Sequence, residues 1–375
     1  MNTESLPPTF KTPLKIGSIE VKHRVLMSPL TRNRASLDLV PTTEGDASML
    51  EYYTQRASAG LIVTEATQVS ADGQGYPLTP GVFTPEQIAG WKVIVDAVHA
   101  KGSKIFCQAW NCGRISHESY QPDGRAPPAP SPVAPGPGAG MVITMQGPKP
   151  FPVPREMTVD EIKTSVEQFR QGALNCVEAG FDGIEIHAAN GYLIDQFLKD
   201  SSNKRADDYG GSLENRFRFL REVVTACQEA IGKDKVAVHL TPGGTFNGAS
   251  SKAEEATGNH EYYMKELDKM GICYLHIKLS DDQDERHGGK VIPMSLIRTW
   301  FSGVLIANNR FNEKEDFGEG DLGKHYDAIT FGRAYLANPD LPARIEKKAK
   351  LNEWDHTTFF GGDGKGYTDY PFMDE

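Results

Sequence analysis

The 375-residue sequence lacks an apolar run long enough to cross a bilayer, which requires roughly 20 consecutive apolar residues. Its first residues, MNTESLPPTFKTPLK, contain no apolar core and so do not resemble a signal peptide. No long run of Lys and Arg is present, and 40 basic against 50 acidic residues give a net charge of −10, which argues against a nucleic-acid partner. These absences predict a cytoplasmic protein that contacts no membrane.

Cysteine is also scarce, and the five that are present (Cys107, Cys112, Cys176, Cys227 and Cys273) are an odd number spread widely along the chain. Cys107 and Cys112 have no second pair at the spacing of a zinc site. The sequence therefore predicts free thiols in a reducing compartment and no metal centre.

No change in composition marks a linker between domains. Instead, a short apolar run followed by an amphipathic helical pattern recurs eight times, which predicts a buried parallel sheet covered by helices. A doubly wound sheet would be favoured by GxGxxG after the first strand, and that motif is absent. We therefore predict one (β/α)₈ TIM barrel domain over residues 1–375. The predicted strands are Arg24–Met27, Leu61–Glu65, Lys104–Gln108, Gly183–His187, Val236–Leu240, Tyr274–Lys278, Val304–Ala307 and Ala328–Phe331.

Start and stop signals also delimit several helices. Thr84-Pro85-Glu86 and Thr158 are candidate N-terminal caps, and a glycine follows each of three helical patterns. The predicted helices run from Thr84 to Gly102, Thr158 to Gly180, Leu213 to Ile231 and Pro339 to Lys350.

Two segments stand outside the repeat. Leu14 to Val21 has the pattern of an N-terminal hairpin that turns at Gly17-Ser18 and could cover the barrel floor. Residues 116–155, rich in Pro and Gly, follow the third strand and would hang over the C-terminal mouth. A loop of this length predicts a lid or binding loop, although disorder of its central part is the alternative.

The segment from Gly183 to Tyr192 is the most informative. Its apolar strand ends on His187, where barrel enzymes place catalytic groups. His187 and Asn190 can act as paired hydrogen-bond donors to a carbonyl oxygen, and Tyr192 can supply a proton. A lone histidine at a strand end is more often structural, but the complete H-x-x-N-x-Y pattern favours catalysis.

Further motifs accompany this segment along nearly the whole chain. They include Met27-Ser-Pro29-Leu-Thr31-Arg32, Tyr52-Tyr53-x-x-Arg56, Glu65-Ala66-Thr67, Gln108-x-Trp110-x-x-Gly113-Arg114, Tyr209-Gly210-Gly211-Ser212, Phe331-Gly332-Arg333 and Gly366-Tyr367-x-Asp369-Tyr370-Pro371. In this order they resemble the Old Yellow Enzyme family of FMN-dependent ene reductases. The resemblance implies a barrel enzyme that takes electrons from NADPH and reduces the C=C bond of an enone or enal.

The resemblance also implies a role for individual residues. His187 and Asn190 would hold the substrate carbonyl, while Tyr192 would protonate the α-carbon after hydride transfer from FMN to the β-carbon. Gly332 and Arg333 would bind the FMN phosphate. The flavin ring would contact Pro29, Thr31, Ala66 and Gln108, and the substrate pocket would be lined by Trp110 and Tyr76.

The sequence departs from the family pattern at three places. By the resemblance, His239 occupies the position of an arginine that faces the flavin, so it would either make the reduced state pH-dependent or lower the affinity for FMN. The alternative is that a neutral His239 donates one hydrogen bond. Asn308 and Asn309 replace a small residue near the phosphate, and Phe360 replaces a tyrosine of the pocket. These departures suggest a specialised member with a bulky substrate.

Two other functions remain open. The same barrel could act as a non-redox isomerase or cyclase, with weak or absent FMN, by polarising a carbonyl and moving a proton. It could also be a ligand-binding barrel without catalysis, although a binder has no need of a positioned acid. The sequence does not distinguish a monomer from a homodimer.

Overall fold

The computed structural model describes residues 9–136, 139–252, 254–280 and 289–373. Residues 1–8, on which part of the signal-peptide interpretation rests, lie outside the described residues, as do Pro137 and Gly138 of the Pro/Gly-rich segment. Within the described ranges, every helix is too short or too polar to traverse a bilayer.

Eight parallel strands close into a barrel, which confirms the predicted fold. In chain order the strands outside and inside the barrel are β1 (Leu14–Ile16), β2 (Ile19–Val21), β3 (Val25–Met27), β4 (Leu61–Gln68), β5 (Lys104–Trp110), β6 (Pro128–Ala129), β7 (Val142–Thr144), β8 (Gly147–Lys149), β9 (Arg155–Glu156), β10 (Gly183–His187), β11 (Val236–Leu240), β12 (Leu275–Lys278), β13 (Leu305–Asn308) and β14 (Ala328–Phe331). The barrel follows the order β3-β4-β5-β10-β11-β12-β13-β14 and closes between β14 and β3. Nearly all residues of these eight strands are buried, as expected for strands covered on both faces.

The strand register brings polar side chains together near the mouth. His187 of β10 pairs with His239 of β11, which in turn pairs with His276 of β12. Lys278 of β12 pairs with Asn308 of β13 one step further toward the carboxyl ends. Parallel strands end at the same rim, so residues far apart in sequence become neighbours there.

Helices cover the barrel and begin largely where the caps predict. They are α1 (Met49–Gln55), α2 (Pro85–Ala100), α3 (Val159–Glu178), α4 (Leu193–Leu198), α5 (Leu213–Ile231), α6 (Ala256–Met270), α7 (Met294–Ile297), α8 (Arg333–Ala337) and α9 (Leu341–Lys347). Thr84 and Thr158 each form a capping box with the glutamine or glutamate three residues later. Such boxes satisfy backbone N–H groups that have no partner inside the helix.

Several boundaries differ from the predicted ones. Strand β4 extends three residues further, to Gln68, through an irregular register between Val63 and Ala66. The last predicted helix shortens to Leu341–Lys347 because Lys348 adopts a left-handed conformation with φ 51°.

The N-terminal hairpin forms the barrel floor, as predicted. Its strands β1 and β2 pair antiparallel around Gly17, whose φ is 54°. Ile16 and Val21 are fully buried against Phe106 and Tyr274 at the amino ends of the barrel strands. The floor is therefore closed by apolar packing.

The Pro/Gly-rich segment contains more regular structure than predicted. Strands β7 and β8 form a hairpin, and β6 pairs in parallel with β9. The backbone oxygen of Val133 accepts a hydrogen bond from the Arg114 side chain, and Phe151 packs near Trp110 and Tyr192. The segment thus packs against the residues around the mouth.

Candidate active site

The turn after β10 presents His187, Asn190 and Tyr192 together, as the sequence predicts. Asn190 has φ 58° and Gly191 has φ 74°, so the chain turns sharply before α4. A side chain at position 191 would be strained at that angle, and its Cβ would lie 2.6 Å from the Phe246 carbonyl oxygen. The Asn190 N–H donates to Thr241 Oγ1 at 2.9 Å, and the Asn247 side chain donates to the Asn190 carbonyl at 2.9 Å. The turn is therefore held rigidly at the rim.

His187 is a neutral hydrogen-bond donor. Its Nδ1 accepts the Ala189 N–H at 3.3 Å, which leaves the ring hydrogen on Nε2. Burial lowers the pKa of His187 to about 3, although the charge of Glu185 opposes that shift. The side chain can therefore donate to a carbonyl oxygen without adding a full charge.

Tyr192 lies in an aromatic cluster with His187, Trp110 and Tyr76. Its ring centroid is 5.0 Å from that of His187 and 4.9 Å from that of Trp110, both in edge-on geometry. Tyr192 Oη and Tyr76 Oη are 3.2 Å apart. Burial raises the pKa of Tyr192 well above its ordinary value, so the phenol keeps its proton. The predicted pocket residues Trp110 and Tyr76 stack at 5.7 Å, and Ala66 packs in the same cluster.

A buried hydrogen-bond network lies beneath this cluster. Gln108 Nε2 donates to Glu185 Oε1 at 2.8 Å, and His276 Nδ1 donates to Glu185 Oε2 at 2.9 Å. Tyr274 Oη also donates to Glu185 Oε2 at 2.9 Å. Burial alone would raise the pKa of Glu185, but the charge and hydrogen bond of His276 bring it below its ordinary value. Glu185, His239 and His276 offer atoms within 4.8 Å of one another, yet these hydrogen bonds identify the group as a structural network.

His239 connects this network to the mouth. Gln108 Nε2 lies 3.2 Å from His239 Nδ1, so Nδ1 accepts and the ring hydrogen sits on Nε2. His239 Nε2 is buried and has no partner among the described residues. Burial, reinforced by the charges of His276, His187 and Lys278, lowers the pKa of His239 well below its ordinary value. Among the possibilities that the sequence leaves open for His239, the structure favours the neutral donor.

Two adjoining cavities open at the mouth. The strand-side cavity, about 220 Å³, borders Pro29, Asn190, His239, Asn309 and Arg333. The tail-side cavity, about 390 Å³, borders Thr31, Tyr76, Tyr192, Phe359 and Phe360. Pro29, Leu30, Asn190 and Arg333 line both, so the two cavities adjoin one another. Their combined size lies within the range of roughly 300–1,000 Å³ that is typical of small-molecule sites.

The far side of the strand-side cavity suits an anionic group. Gly332 precedes α8, and Arg333, Arg310 and Lys278 bring three cationic side chains to the lining. Asn309 also lines this cavity, and its amide could offer an anion only its Nδ2 donor, because the buried Oδ1, which has no partner among the described residues, is an acceptor. The Asn308 amide is different, because its Nδ2 already donates to Ser28 Oγ and Thr330 Oγ1, both at 2.9 Å.

The C-terminal tail walls the tail-side cavity through Phe359 and Phe360, the latter 59% exposed. Three buried arginines hold this tail: Arg32 donates to the carbonyls of Phe359 and Gly366, Arg34 to that of Asp363, and Arg56 to that of Tyr367. The rings of Tyr52 and Tyr367 stack at 4.3 Å beside these guanidinium groups. We call this group the arginine clamp.

The structure adds cavity-lining residues to which the sequence assigned no role. Lys278, Leu30 and Trp354 line the strand-side cavity, and Phe246 lines the tail-side cavity. Lys278 could have been found by the rule that identified His187, because it too ends an apolar barrel strand. Leu30 lies within the motif that begins at Met27, whereas Trp354 and Phe246 are apolar side chains without a sequence signal.

The sequence pattern of the NADH:flavin oxidoreductase / NADH oxidase family matches residues 9–352. The chain is 46% identical over 366 residues to putative 12-oxophytodienoate reductase 5 of Oryza sativa subsp. japonica, covering 96% of this chain and 93% of that protein. It is 41% identical to 12-oxophytodienoate reductase 2 of Arabidopsis thaliana over 371 residues, 97% of this chain and 95% of that one.

Solved structures agree in fold over the same length. Morphinone reductase superimposes with a TM-score of 0.90 at 43% identity, covering 100% of this chain and 98% of that one. The Old Yellow Enzyme homologue from Zymomonas mobilis gives a TM-score of 0.91 at 38% identity, with 98% and 100% covered.

Proposed function

The chain belongs to the NADH:flavin oxidoreductase / NADH oxidase family and is an oxidoreductase of Old Yellow Enzyme type, and from this we propose a function. We propose that the protein, with bound FMN, reduces the C=C bond of α,β-unsaturated carbonyl compounds. One observation supports this proposal above all. Asn190 and Tyr192 line the two adjoining cavities, the His187 ring lies 5.0 Å from that of Tyr192, and the cationic Arg333 lines both cavities. Residues suited to binding a carbonyl oxygen and residues suited to binding an anion would thus lie side by side at the mouth.

The residues of the cavity fit an FMN molecule. Pro29 and Leu30 offer apolar surface for a planar ring, while His239 Nε2 is a buried donor in need of an acceptor. Arg333, Asn309 and the backbone around Gly332 would hold the phosphate, as commonly found beyond the last strands of a barrel. Thr31 lines the tail-side cavity. Gln108 lies beneath the mouth and would act on the flavin through His239, whose Nδ1 accepts its hydrogen bond. When bound, FMN supplies the two-electron chemistry.

His187 and Asn190 would bind the carbonyl oxygen of the substrate. The Ala189 N–H holds the His187 ring, and Thr241 and Asn247 hold the backbone that carries the Asn190 side chain. Two fixed donors stabilise negative charge that develops on the oxygen, and each contributes about 2.7–4 kcal/mol in comparable sites.

Tyr192 would hold the proton for the α-carbon. Its phenol remains protonated in the buried cluster, and Tyr76 Oη, 3.2 Å away, keeps the hydroxyl oriented. The partly exposed Tyr76 also borders the tail-side cavity. The substrate would therefore enter between Tyr76 and the tail, with Phe360 at the entrance.

NADPH would be the reductant, as the family resemblance implies. Morphinone reductase, a structural relative, has been solved in complex with tetrahydroNAD, so a nicotinamide binds that protein. The choice between NADPH and NADH is measured directly by comparing the two as reductants. A bulky substrate of specialised metabolism is consistent with the open, apolar rim at Phe359 and Phe360.

The colour of the purified protein tests the proposal. We expect a yellow solution that NADPH bleaches without oxygen and that 2-cyclohexenone recolours. A colourless protein that takes up no added FMN and consumes no NADPH would contradict it. If such a protein still isomerised or cyclised an enone, the non-redox alternative would replace the reductase.

A matched pair of variants tests the assignment of residues. Asn190→Ala and Asn309→Ala each remove one amide that lies at the mouth with a buried, unpartnered Oδ1. Asn190→Ala is expected to slow reoxidation by the enone by about 10²–10³-fold. Asn309→Ala is expected to weaken FMN binding while reoxidation of the loaded protein stays near normal. The reverse outcome would exchange the two proposed roles.

A further inference from the structure

The neutral imidazole of His239 can carry its single hydrogen on either ring nitrogen, and the choice determines what the ring offers to the cavity. With the hydrogen on Nε2 the ring donates to a ligand, whereas with the hydrogen on Nδ1 the same Nε2 atom is an acceptor. Nε2 is buried and has no partner among the described residues, and His239 borders the strand-side cavity. The position of one hydrogen therefore sets the polarity of the cavity wall at this point.

Two neighbouring rings hold the imidazole of His239 in one orientation. His187 and His276 pair with it from the two flanking strands of the barrel. The His276 ring stacks on it with centroids 4.4 Å apart and an angle of 19° between the planes, and the His187 centroid lies 5.3 Å away. Because a ring packed in this way does not turn over freely, its two nitrogens keep their places, and only the hydrogen can move between them.

The side-chain amide of Gln108 determines where that hydrogen lies. Its Nε2 is 2.8 Å from Glu185 Oε1 and 3.2 Å from His239 Nδ1. An amide NH₂ group has two hydrogens, so it can donate one to each of these atoms, which leaves the hydrogen of the imidazole on Nε2. Glu185 Oε1 itself lies 3.8 Å from His239 Nδ1, and in the absence of the amide its negative charge would favour a hydrogen on Nδ1.

Glu185 in turn determines which way the Gln108 amide faces. A carboxylate accepts hydrogen bonds and donates none, so the amide atom beside Glu185 Oε1 must be the nitrogen. Burial opposes the charge of this carboxylate, but the charge and hydrogen bond of His276 bring the pKa of Glu185 below its ordinary value. Its other oxygen, Oε2, accepts from Tyr274 Oη and His276 Nδ1, both at 2.9 Å. The orientation of the amide thus follows from one buried negative charge.

We propose that Glu185 is a positioning residue of the flavin site, which acts through the amide of Gln108 to fix the hydrogen of His239 on Nε2, as a donor to the flavin ring. The fixed tautomer follows from contacts within the protein, whereas its use rests on the proposed function, since it requires FMN in the strand-side cavity. Where the family resemblance implies a single arginine, this chain would use three residues to present one neutral donor.

Glu185→Gln, a substitution of almost unchanged shape, is expected to invert the tautomer. The donors Tyr274 Oη and His276 Nδ1 would keep the oxygen of the new amide at the place of Oε2, so its nitrogen would face Gln108. The Gln108 amide would then turn over and present its oxygen, which would accept a hydrogen bond from His239 Nδ1. We therefore expect the hydrogen of His239 to move from Nε2 to Nδ1.

Nitrogen-15 NMR of the histidine rings measures this directly, because a ring nitrogen with a hydrogen and one without resonate far apart. The whole chain is measured as purified and after removal of any bound flavin, and His239→Gln assigns the signal by its loss. Tyr274→Phe is the matched control, since it removes another buried hydrogen bond to Glu185 but leaves Gln108 in contact, so the wild-type tautomer should persist. A hydrogen on Nδ1 in the wild type, a hydrogen on Nε2 in Glu185→Gln, or inversion in Tyr274→Phe would each overturn the proposal.

Flavin titration tests the use of this hydrogen. In Glu185→Gln the loss of the donor should weaken binding of FMN and of riboflavin equally, by about tenfold, since riboflavin lacks only the phosphate. An inverted tautomer with unchanged affinity for both would overturn the role of Glu185 in the flavin site. If the wild-type protein binds neither compound, the proposed function fails, whereas the NMR result on flavin-free protein still supports or overturns the fixed tautomer.

If Glu185→Gln does not fold, Gln108→Met takes its place. This variant removes the donor to His239 Nδ1 and leaves Glu185 Oε1 3.8 Å from that nitrogen, so the hydrogen should again move to Nδ1. A hydrogen that stays on Nε2 in Gln108→Met would overturn the proposal.

Discussion

At the floor of the barrel, Ile16 and Val21 are buried among apolar neighbours, whereas at the mouth His239 and Asn190 keep buried polar atoms without partners among the described residues. Burial of apolar surface contributes to stability directly, while an unpaired buried polar atom costs free energy. The mouth therefore retains groups that folding alone does not favour. A polar ligand of the proposed kind would satisfy them, so under the proposed function the floor contributes stability and the mouth contributes binding.

Tyr192→Phe at the mouth should have the largest effect on the reaction. Loss of the phenolic proton is expected to slow reoxidation of the flavin by an enone about 10²–10⁴-fold. Reduction of the flavin by NADPH should be spared, and the free energy of unfolding should change by only about 1 kcal/mol. Stopped-flow measurement of the two half-reactions checks this. Equal slowing of both would remove Tyr192 from the role of proton donor.

Ile16→Ala at the floor should lower the stability of the protein and leave the reaction unchanged. Truncating this fully buried side chain is expected to lower the free energy of unfolding by about 2–5 kcal/mol. Turnover per folded molecule should not change, since the hairpin lies at the end opposite the cavities. Chemical denaturation together with kinetics at low temperature measures both quantities. A selective loss of turnover with normal stability would mean that the two ends are coupled.

His239→Gln tests whether the imidazole of His239 at the mouth carries a charge. Because the pKa of His239 lies well below its ordinary value, the imidazole stays neutral as the pH rises from mildly acidic to mildly alkaline. It contributes no charge that would be lost over that interval, so FMN affinity should show the same pH profile in the wild type and in His239→Gln. Fluorescence titration with FMN between about pH 6 and 8 tests this, a window centred near the ordinary histidine value. A wild-type affinity that falls as the pH rises, against a flat variant, would mean that His239 is charged.

Phe360→Tyr should have the smallest effect. The ring is 59% exposed at the entrance of the tail-side cavity, so an added hydroxyl would remain largely hydrated. We expect KM for an enone to change by about twofold and FMN affinity to stay the same. A much larger change would place this ring in direct contact with the bound substrate.

The barrel could be predicted because the signals for its strands and helices lie in short segments of the sequence. Each strand is a short apolar run, and Thr84 and Thr158 carry caps that define helix starts wherever they occur. The strands of the Pro/Gly-rich segment could not be predicted, because Pro and Gly are unfavourable in strands and the pairing of this hairpin depends on the surrounding packing. In the same way, no local pattern predicts that Lys348 ends the last helix with a left-handed conformation.

The candidate site was predicted where its residues share one segment. His187, Asn190 and Tyr192 lie within six positions, so their proximity follows from a single strand and turn. The state of His239 could not be read in this way, because it depends on Gln108, Glu185 and His276 from three other strands. The protonation state of such a histidine depends on its distances to side chains of other barrel strands, and a single sequence does not give those distances.

The arginine clamp has a practical consequence for anyone who shortens this chain. The last barrel strand ends at Phe331 and the last helix at Lys347, so a protein truncated soon afterwards would keep every regular element of the barrel. Yet Arg32, Arg34 and Arg56 would lose the carbonyl groups of Phe359, Gly366, Asp363 and Tyr367, and three guanidinium groups would be left in the interior without those acceptors. Truncations should therefore spare the segment from Phe359 to Tyr367, because its carbonyl groups are hydrogen-bonded to the folded body.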